Sequence, residues 1–160
     1  MRILEGKELQ NAENWMGQAV IFGKKASCNR AHYGSVIVKD GELIGGGFNS
    51  PPQDKESQRK CSYSKGEYHK KVTDKTCCIH AVQRAIMDAL RKNPDKLPGS
   101  RLYFIRLDDA DEISYAGKPY CTICSKMALD AGIKEFVLWH EEGIAVYDTE
   151  EYNLLSYQYQ

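Results

Sequence analysis

The chain has 160 residues, with 22 acidic and 22 basic side chains and a formal net charge of zero. A chain of this length can bury a core without disulfides, so we expect a single domain over residues 1–160. The balanced charge gives no bulk cationic field, which makes long nucleic acid a weaker candidate partner than a small molecule. One segment still carries a local basic patch, formed by Arg59, Lys60, Lys65, Lys70 and Lys71.

No segment of the sequence has the pattern of a signal peptide or a membrane span. Residues 1–14 are charged, and no window approaches the roughly 18 apolar residues that a spanning helix needs. The sequence therefore predicts a cytoplasmic protein without a membrane partner. In such a reducing compartment the six cysteines indicate metal ligands before disulfides.

The first half of the chain predicts a helix, a hairpin and a long loop. Apolar residues have helical spacing from Lys7 to Val20. Two short apolar runs, Tyr33 to Lys39 and Glu42 to Phe48, flank Asp40-Gly41, a dipeptide that favours a type I′ turn. The polar stretch from Asn49 to Lys75 has no sustained periodicity and predicts a loop, which at this length is usually functional or disordered.

The second half alternates helices and strands. An apolar stripe predicts a helix over Cys78 to Lys92, and the pattern then predicts a strand over Arg101 to Leu107, a helix over Cys121 to Ala131 and a strand over Glu135 to Trp139. We therefore expect an α/β fold with a mixed central sheet flanked by helices, in which the first hairpin is the antiparallel part. The Tyr-rich tail after Val146 predicts a short helix that covers the body or forms an oligomer contact, in preference to a substrate lid.

Three side chains at predicted helix starts have the spacing of a zinc site: His80, Cys121 and Cys124. Three such ligands leave the fourth position of a tetrahedral zinc open, as in catalytic sites. The positive end of a helix dipole also favours the thiolate form that binds metal. The alternatives for the two cysteines are a redox pair or two buried side chains.

The residues around these ligands resemble a known family. His80-Ala81-Val82 and Cys121-Thr122-Ile123-Cys124 are similar to the H-A-E and P-C-x-x-C motifs of the zinc-dependent cytidine and deoxycytidylate deaminases. The runs GGGFNSP at 45–51 and GIKEFV at 132–137 resemble the deoxycytidylate deaminases, and the resemblance extends over most of the chain. It implies the three-layer deaminase-like fold, a catalytic zinc, a homo-oligomer and a small nucleotide or nucleoside as substrate.

By this resemblance the same three side chains hold zinc, whereas Asn49 and Ala81 contact the nucleotide. The reaction also needs a carboxylate two residues after the histidine, which moves a proton from the attacking water to the ring and the leaving ammonia. Val82 stands at that position, and a valine cannot carry a proton. Because loss of a general acid/base costs on the order of 10²-fold to 10⁴-fold in rate, we expect a severely impaired deaminase. Tyr120 also departs from the family pattern, because it stands where proline usually precedes the first cysteine.

A second set of candidate metal ligands lies in or beside the long polar loop. A loop with little apolar content gains stability from a structural metal, and some deoxycytidylate deaminases carry such a site. Cys28 and Cys78 stand at positions that resemble ligands of that site, and Cys61 and His69 would complete a closed Cys3His zinc site with them. Cys77 is the main alternative to Cys78. The competing interpretation is that Cys28 and Cys77 are buried small hydrophobic side chains and His69 is an exposed loop residue.

The predicted function is hydrolytic deamination of a free nucleotide, most of all deoxycytidylate to deoxyuridylate. A nucleoside, a free base or a nucleic-acid base is the alternative substrate within the same class. A second hypothesis is a pseudoenzyme, whose zinc-stabilised fold binds a nucleotide or a partner subunit without turnover. A third is a redox protein that uses Cys121 and Cys124 and needs no histidine.

Overall fold

The computed structural model describes the whole chain, Met1 to Gln160, as a sheet between two helical layers. The helices are α1 (Gly6–Gly23), α2 (Ala81–Lys92), α3 (Thr122–Asp130) and α4 (Thr149–Ser156). The strands are β1 (Arg2–Ile3), β2 (His32–Lys39), β3 (Glu42–Phe48), β4 (Arg101–Leu107), β5 (Ile113–Ser114), β6 (Glu135–His140) and β7 (Gly143–Asp148). None of the helices combines the length and the apolar character needed to cross a membrane.

The strands form one mixed sheet in the order β1-β7-β6-β4-β2-β3, with β5 paired to β4. Only β4 and β6 run parallel, and all other pairs are antiparallel. The predicted mixed sheet flanked by helices is confirmed. Its antiparallel part is larger than the predicted hairpin, because β2 also pairs antiparallel with β4 and because β1, β5 and β7 add pairs that the sequence pattern did not predict.

The predicted hairpin of β2 and β3 is confirmed at its turn. Asp40 has a φ of 49° and Gly41 a φ of 75°, so both residues occupy the left-handed region that a type I′ turn requires. Residues of β2 pair with β3 on one side, where the register shifts between Ile37 and Val38, and with β4 on the other side. This places β2 inside the sheet, between β4 and the edge strand β3.

Side chains along the central strands alternate between two buried faces. Val36 and Tyr103 pack with Met16 of α1 in one apolar cluster, whereas Ile37 and Leu102 pack with the other three helices in a second cluster. A period of two along each strand produces this division. The result is three layers, with α1 on one face and α2, α3 and α4 on the other.

The helix predicted from Cys78 begins three residues later, at Ala81, so its predicted start is wrong. The preceding His80 is extended, with φ −71° and ψ 149°, and the Ile79 N–H donates to the Ser50 carbonyl at 2.9 Å. This bridge to the chain after β3 competes with helix formation. Helix α3 similarly begins just after Cys121, whose Sγ accepts a hydrogen bond from the Cys124 N–H.

The long polar segment and the C-terminal tail agree with their predictions. Residues 49–75 contain only short 3₁₀ turns, at Pro52–Asp54, Glu56–Gln58 and Lys65–Glu67, and an isolated bridge. The tail forms α4, whose Tyr152 is buried and stacks on Phe136 with ring centroids 3.9 Å apart. This stacking fixes the last helix against the sheet.

Helix α2 approaches β3 closely because β3 carries glycines where the helix crosses it. A Cβ at Gly45 would lie 2.6 Å from the Ala85 carbonyl oxygen and 2.7 Å from the Ala89 Cβ. A Cβ at Gly47 would meet the Ala81 carbonyl oxygen. Both obstacles are backbone or helix-core atoms, so any larger residue would push the start of α2 away from the sheet.

We expect Gly45→Ala to lower the free energy of unfolding by about 1–3 kcal/mol, the usual cost of overpacking a close contact. The matched control is Gly17→Ala in α1, where an added Cβ meets no atom within 4 Å. This control should raise the stability by up to about 1 kcal/mol, because alanine favours a helix over glycine. Chemical denaturation measures both changes, and equal stabilities of the two variants would contradict the close contact.

Candidate metal centre and its cavity

The three predicted zinc ligands meet where the starts of two helices face each other. His80 precedes α2, while Cys121 and Cys124 lie at the start of α3. The His80 Nδ1 atom is 3.2 Å from the Cys124 Sγ and 3.3 Å from the Cys121 Sγ. His80, which is 41 and 44 positions from the two cysteines in sequence, thus meets both of them at one point.

The donor set fits a zinc ion. Tetrahedral zinc with bonds of about 2.3 Å to sulfur and about 2.0 Å to nitrogen separates neighbouring ligand atoms by about 3.5 Å. The observed nitrogen–sulfur distances lie close to that value, and all three donor atoms lie within 4.8 Å of one another. One imidazole and two thiolates leave a fourth position for a water or a substrate atom.

The electrostatics of the three groups favour a thiolate. Hydrogen bonds from Cys124 and then from His80 outweigh burial and lower the pKa of Cys121 to about 4. The bond to Cys121, together with burial, raises the pKa of Cys124. The bond to Cys121 also raises the pKa of His80. These contacts favour the thiolate form of Cys121, which is the form that binds metal.

The three ligands open into a cavity of about 270 Å³. Its wall includes Asn49, Ala81 and Val82, the other three residues that the sequence places at the site. Val82 is only 1% exposed and packs within the core on the helical side of the sheet. Among the 17 lining residues none is acidic, whereas two, Arg30 and Lys65, are basic.

Asn49 has a backbone role that sequence reasoning missed. Its side-chain amide donates to the Ala31 carbonyl at 2.8 Å, and its Oδ1 accepts from the Tyr33 N–H at 2.8 Å. The side chain is 4% exposed. Asn49 therefore ties the start of β2 to the chain after β3, and Ala31, Tyr33 and Asn49 all line the cavity.

Arg84 of α2 is a second residue that sequence reasoning missed. Its guanidinium donates to the Ser50 hydroxyl at 2.6 Å and to the Phe48 and Pro51 carbonyls at 3.0 and 3.3 Å. An arginine inside a helical stripe gives no local signal of such a role. Its contacts hold the chain that carries Asn49 against the helix that follows His80.

The second set of candidate ligands differs from its prediction. The thiols of Cys28, Cys61 and Cys78 lie within 4.8 Å of one another. The Cys77 Sγ lies 3.2 Å from that of Cys61 and 3.8 Å from that of Cys78, although Cys77 is not within 4.8 Å of every member of this group of three. We call the four thiols together the thiol cluster. His69 is not in this group; its ring is exposed and accepts a hydrogen bond from the Lys71 N–H.

The thiol cluster has its own electrostatic signature. Burial raises the pKa of Cys61, but hydrogen bonds from Cys77 and from the Asn29 backbone outweigh it and lower the pKa to about 7. Burial and then the bond to Cys28 raise the pKa of Cys78.

The chain bends at Cys78, which lets two consecutive side chains point to one place. A sequence pattern does not show that bend, so it cannot reveal that both cysteines belong to the cluster.

Comparisons with known proteins agree with this architecture. The deoxycytidylate deaminase of cyanophage S-TIM5 in complex with dCMP and dUMP superposes with a TM-score of 0.56 at 22% identity, over 83% of this chain and 82% of that chain. The apo form of the same enzyme superposes with a TM-score of 0.54 at 23% identity, over 79% of this chain and 80% of that chain. Cytidine deaminase from Burkholderia pseudomallei superposes with a TM-score of 0.57 at 18% identity, over 88% of this chain and 94% of that chain. No curated protein matches the sequence.

The model of one protein family covers most of the chain. It describes the cytidine and deoxycytidylate deaminase zinc-binding region and matches residues 9–140. That range includes the hairpin, both helix starts and all three donor residues of the candidate centre. The chain therefore belongs to the cytidine and deoxycytidylate deaminase family.

Proposed function

We propose that this protein has the site of a zinc-dependent hydrolytic deaminase that acts on a pyrimidine nucleotide, deoxycytidylate above all. We further propose that Val82, which stands in the place of the catalytic carboxylate, suppresses turnover. His80, Cys121 and Cys124 would hold the zinc. When bound, zinc supplies an activated water as nucleophile at neutral pH. The observation that carries the proposal is that these donor atoms open into a cavity that has cationic but no acidic lining residues.

The cavity suits a flat base that carries a phosphate. Aromatic side chains form much of its wall: Tyr33, Phe104, Tyr120, Phe136 and Tyr152. Arg30 and Lys65 line it as well, and neither forms an ion pair in the structure. Arg30 donates one hydrogen bond, to the Tyr63 carbonyl, which leaves further guanidinium donors for an anion. This combination supports a nucleotide over a nucleoside or a free base.

Val82 supports suppressed turnover. A deaminase needs a group beside the attacking water that accepts its proton and returns it to the substrate. No carboxylate lines the cavity, and the valine side chain has no titratable group. The same observation supports the second candidate function, a pseudoenzyme that binds the nucleotide without converting it.

We expect Val82→Glu to raise ammonia release from dCMP by at least about 10²-fold, because the carboxylate supplies the missing proton transfer. The matched control is Val72→Glu, which adds the same charge to a valine that is 38% exposed and outside the cavity. The control should leave the rate unchanged. A zinc-loaded Val82→Glu protein that is inert toward bases, nucleosides and nucleotides would favour the pseudoenzyme instead.

The phosphate preference has its own test in calorimetric titrations of dCMP and deoxycytidine. We expect Arg30→Ala to weaken dCMP binding by about tenfold or more, because a hydrogen bond to a charged group contributes about 1.5–3 kcal/mol. Binding of deoxycytidine should not change. Lys70→Ala removes an exposed cation that does not line the cavity and serves as the control. Equal losses for both ligands would refute the assignment of Arg30 to the phosphate.

A second, structural zinc in the thiol cluster is part of the proposal. Four thiols, those of Cys28, Cys61, Cys77 and Cys78, can close a tetrahedral site without His69. The segment that they hold has little apolar content, so a metal would provide the stability that burial does not.

Elemental analysis tests both zinc sites. We expect two zinc ions per chain, of which His80→Asn removes one and Cys61→Ser removes the other, because each substitution deletes a ligand. His32→Asn is the control, since that partly exposed side chain contacts Asp111 and belongs to neither cluster. Full zinc content in His80→Asn would contradict the catalytic site, and full content in Cys61→Ser the structural one.

A further inference from the structure

The far side of the His80 ring is linked to a carboxylate outside the cavity. The Thr76 Oγ1 lies 3.3 Å from the His80 Nε2 and donates to the Asp74 Oδ1 at 2.6 Å. The same Asp74 oxygen accepts a hydrogen bond from the Thr76 backbone N–H at 3.0 Å. Thr76 lines the cavity, whereas Asp74 does not.

The direction of these hydrogen bonds is determined by the zinc ligand. The Nδ1 atom of His80 faces the two sulfur atoms, so it must be unprotonated when it binds a metal. The neutral ring then carries its proton on Nε2, which makes Nε2–H the donor to Thr76 Oγ1. The threonine hydroxyl can both accept and donate a hydrogen bond, and it donates one to Asp74. Each hydrogen-bond donor in the series from His80 through Thr76 to Asp74 therefore has an acceptor.

We propose that Thr76 and Asp74 are positioning residues, which hold His80 in the tautomer and orientation that direct Nδ1 to zinc. The inference rests on the zinc site of the proposed function. A partner on the free nitrogen of a ligating histidine fixes the ring and increases its basicity as a ligand, and loss of such a partner typically weakens metal binding by 10-fold to 100-fold. Here the anionic partner acts through a hydroxyl.

The thiol cluster explains how an exposed pair can hold a defined position. Thr76 and Asp74 are both exposed, and isolated hydrogen bonds between exposed groups contribute little. Thr76, however, directly precedes Cys77, whose thiol contacts Cys61, while Ile79 is bridged to Ser50. Contacts on the C-terminal side of Thr76 therefore limit its movement. Because the pair remains exposed, we expect effects at the lower end of the range for such partners.

The test compares Thr76→Val, which keeps the shape of the side chain and removes the hydroxyl, with Thr76→Ser, which keeps the hydroxyl. The affinity of the site that His80→Asn empties is measured by competition for zinc with a chromophoric chelator. We expect Thr76→Val to weaken its binding about tenfold and Thr76→Ser to restore it to within about twofold. Asp74→Asn should fall between them. Thr73→Val, an exposed threonine without a side-chain hydrogen bond, is the control.

A spectroscopic measurement separates positioning from general loosening of the loop. In nitrogen-15 spectra of the zinc-loaded protein, the His80 ring should show its proton on Nε2, protected from solvent exchange, and Thr76→Val should remove that protection. Unchanged zinc affinity in Thr76→Val, or a Thr76→Ser protein as weak as Thr76→Val, overturns the positioning role alone. A protein that binds no zinc through His80 overturns the catalytic site itself, and the inference with it.

Discussion

The contact between helix α2 and strand β3 determines where the site forms. Gly45 and Gly47 leave no side chain between the two backbones, so the first turn of α2 lies directly on the sheet. Arg84 then holds the chain after β3 against the same helix. His80 and Val82 take their positions from this contact, because one precedes α2 and the other lies in its first turn.

The second half of the site depends on how α3 is held. Ser125 donates to the Asn153 side chain of α4 at 2.8 Å, and Tyr152 of α4 stacks on Phe136 of the sheet. These contacts bring a thiolate and a thiol of α3 to the imidazole before α2. Burying such groups without a counter-charge is costly, and a divalent cation bound by all three would neutralise the cluster. The two helix starts therefore form a site whose polar groups favour a metal.

The sequence predicted those parts of the molecule that depend on local patterns. Asp40-Gly41 determined the hairpin, and the apolar stripe of α2 was sufficient for the helix, although its start required knowledge of the bridge between Ser50 and Ile79. The two-residue strands β1 and β5 are too short to have a period. Within the site, the three donor residues follow from spacing and family resemblance. The presence of Cys77, and not His69, beside the other thiols does not follow from the sequence pattern, because it depends on the bend of the chain at Cys78.

Val82 shows how the requirements of folding and of deamination oppose each other at one position. Its side chain is 1% exposed and packs in the same core cluster as Cys124 and Ala85, so an apolar residue satisfies the packing there. A carboxylate in its place would lose most of its hydration and lie in the same cavity wall as the Cys121 thiolate, and both effects disfavour its charged form. Those same effects raise the pKa of a carboxyl group toward neutrality, which is what a general acid/base requires. The environment that makes valine the more stable choice would therefore also make a carboxylate the more reactive one.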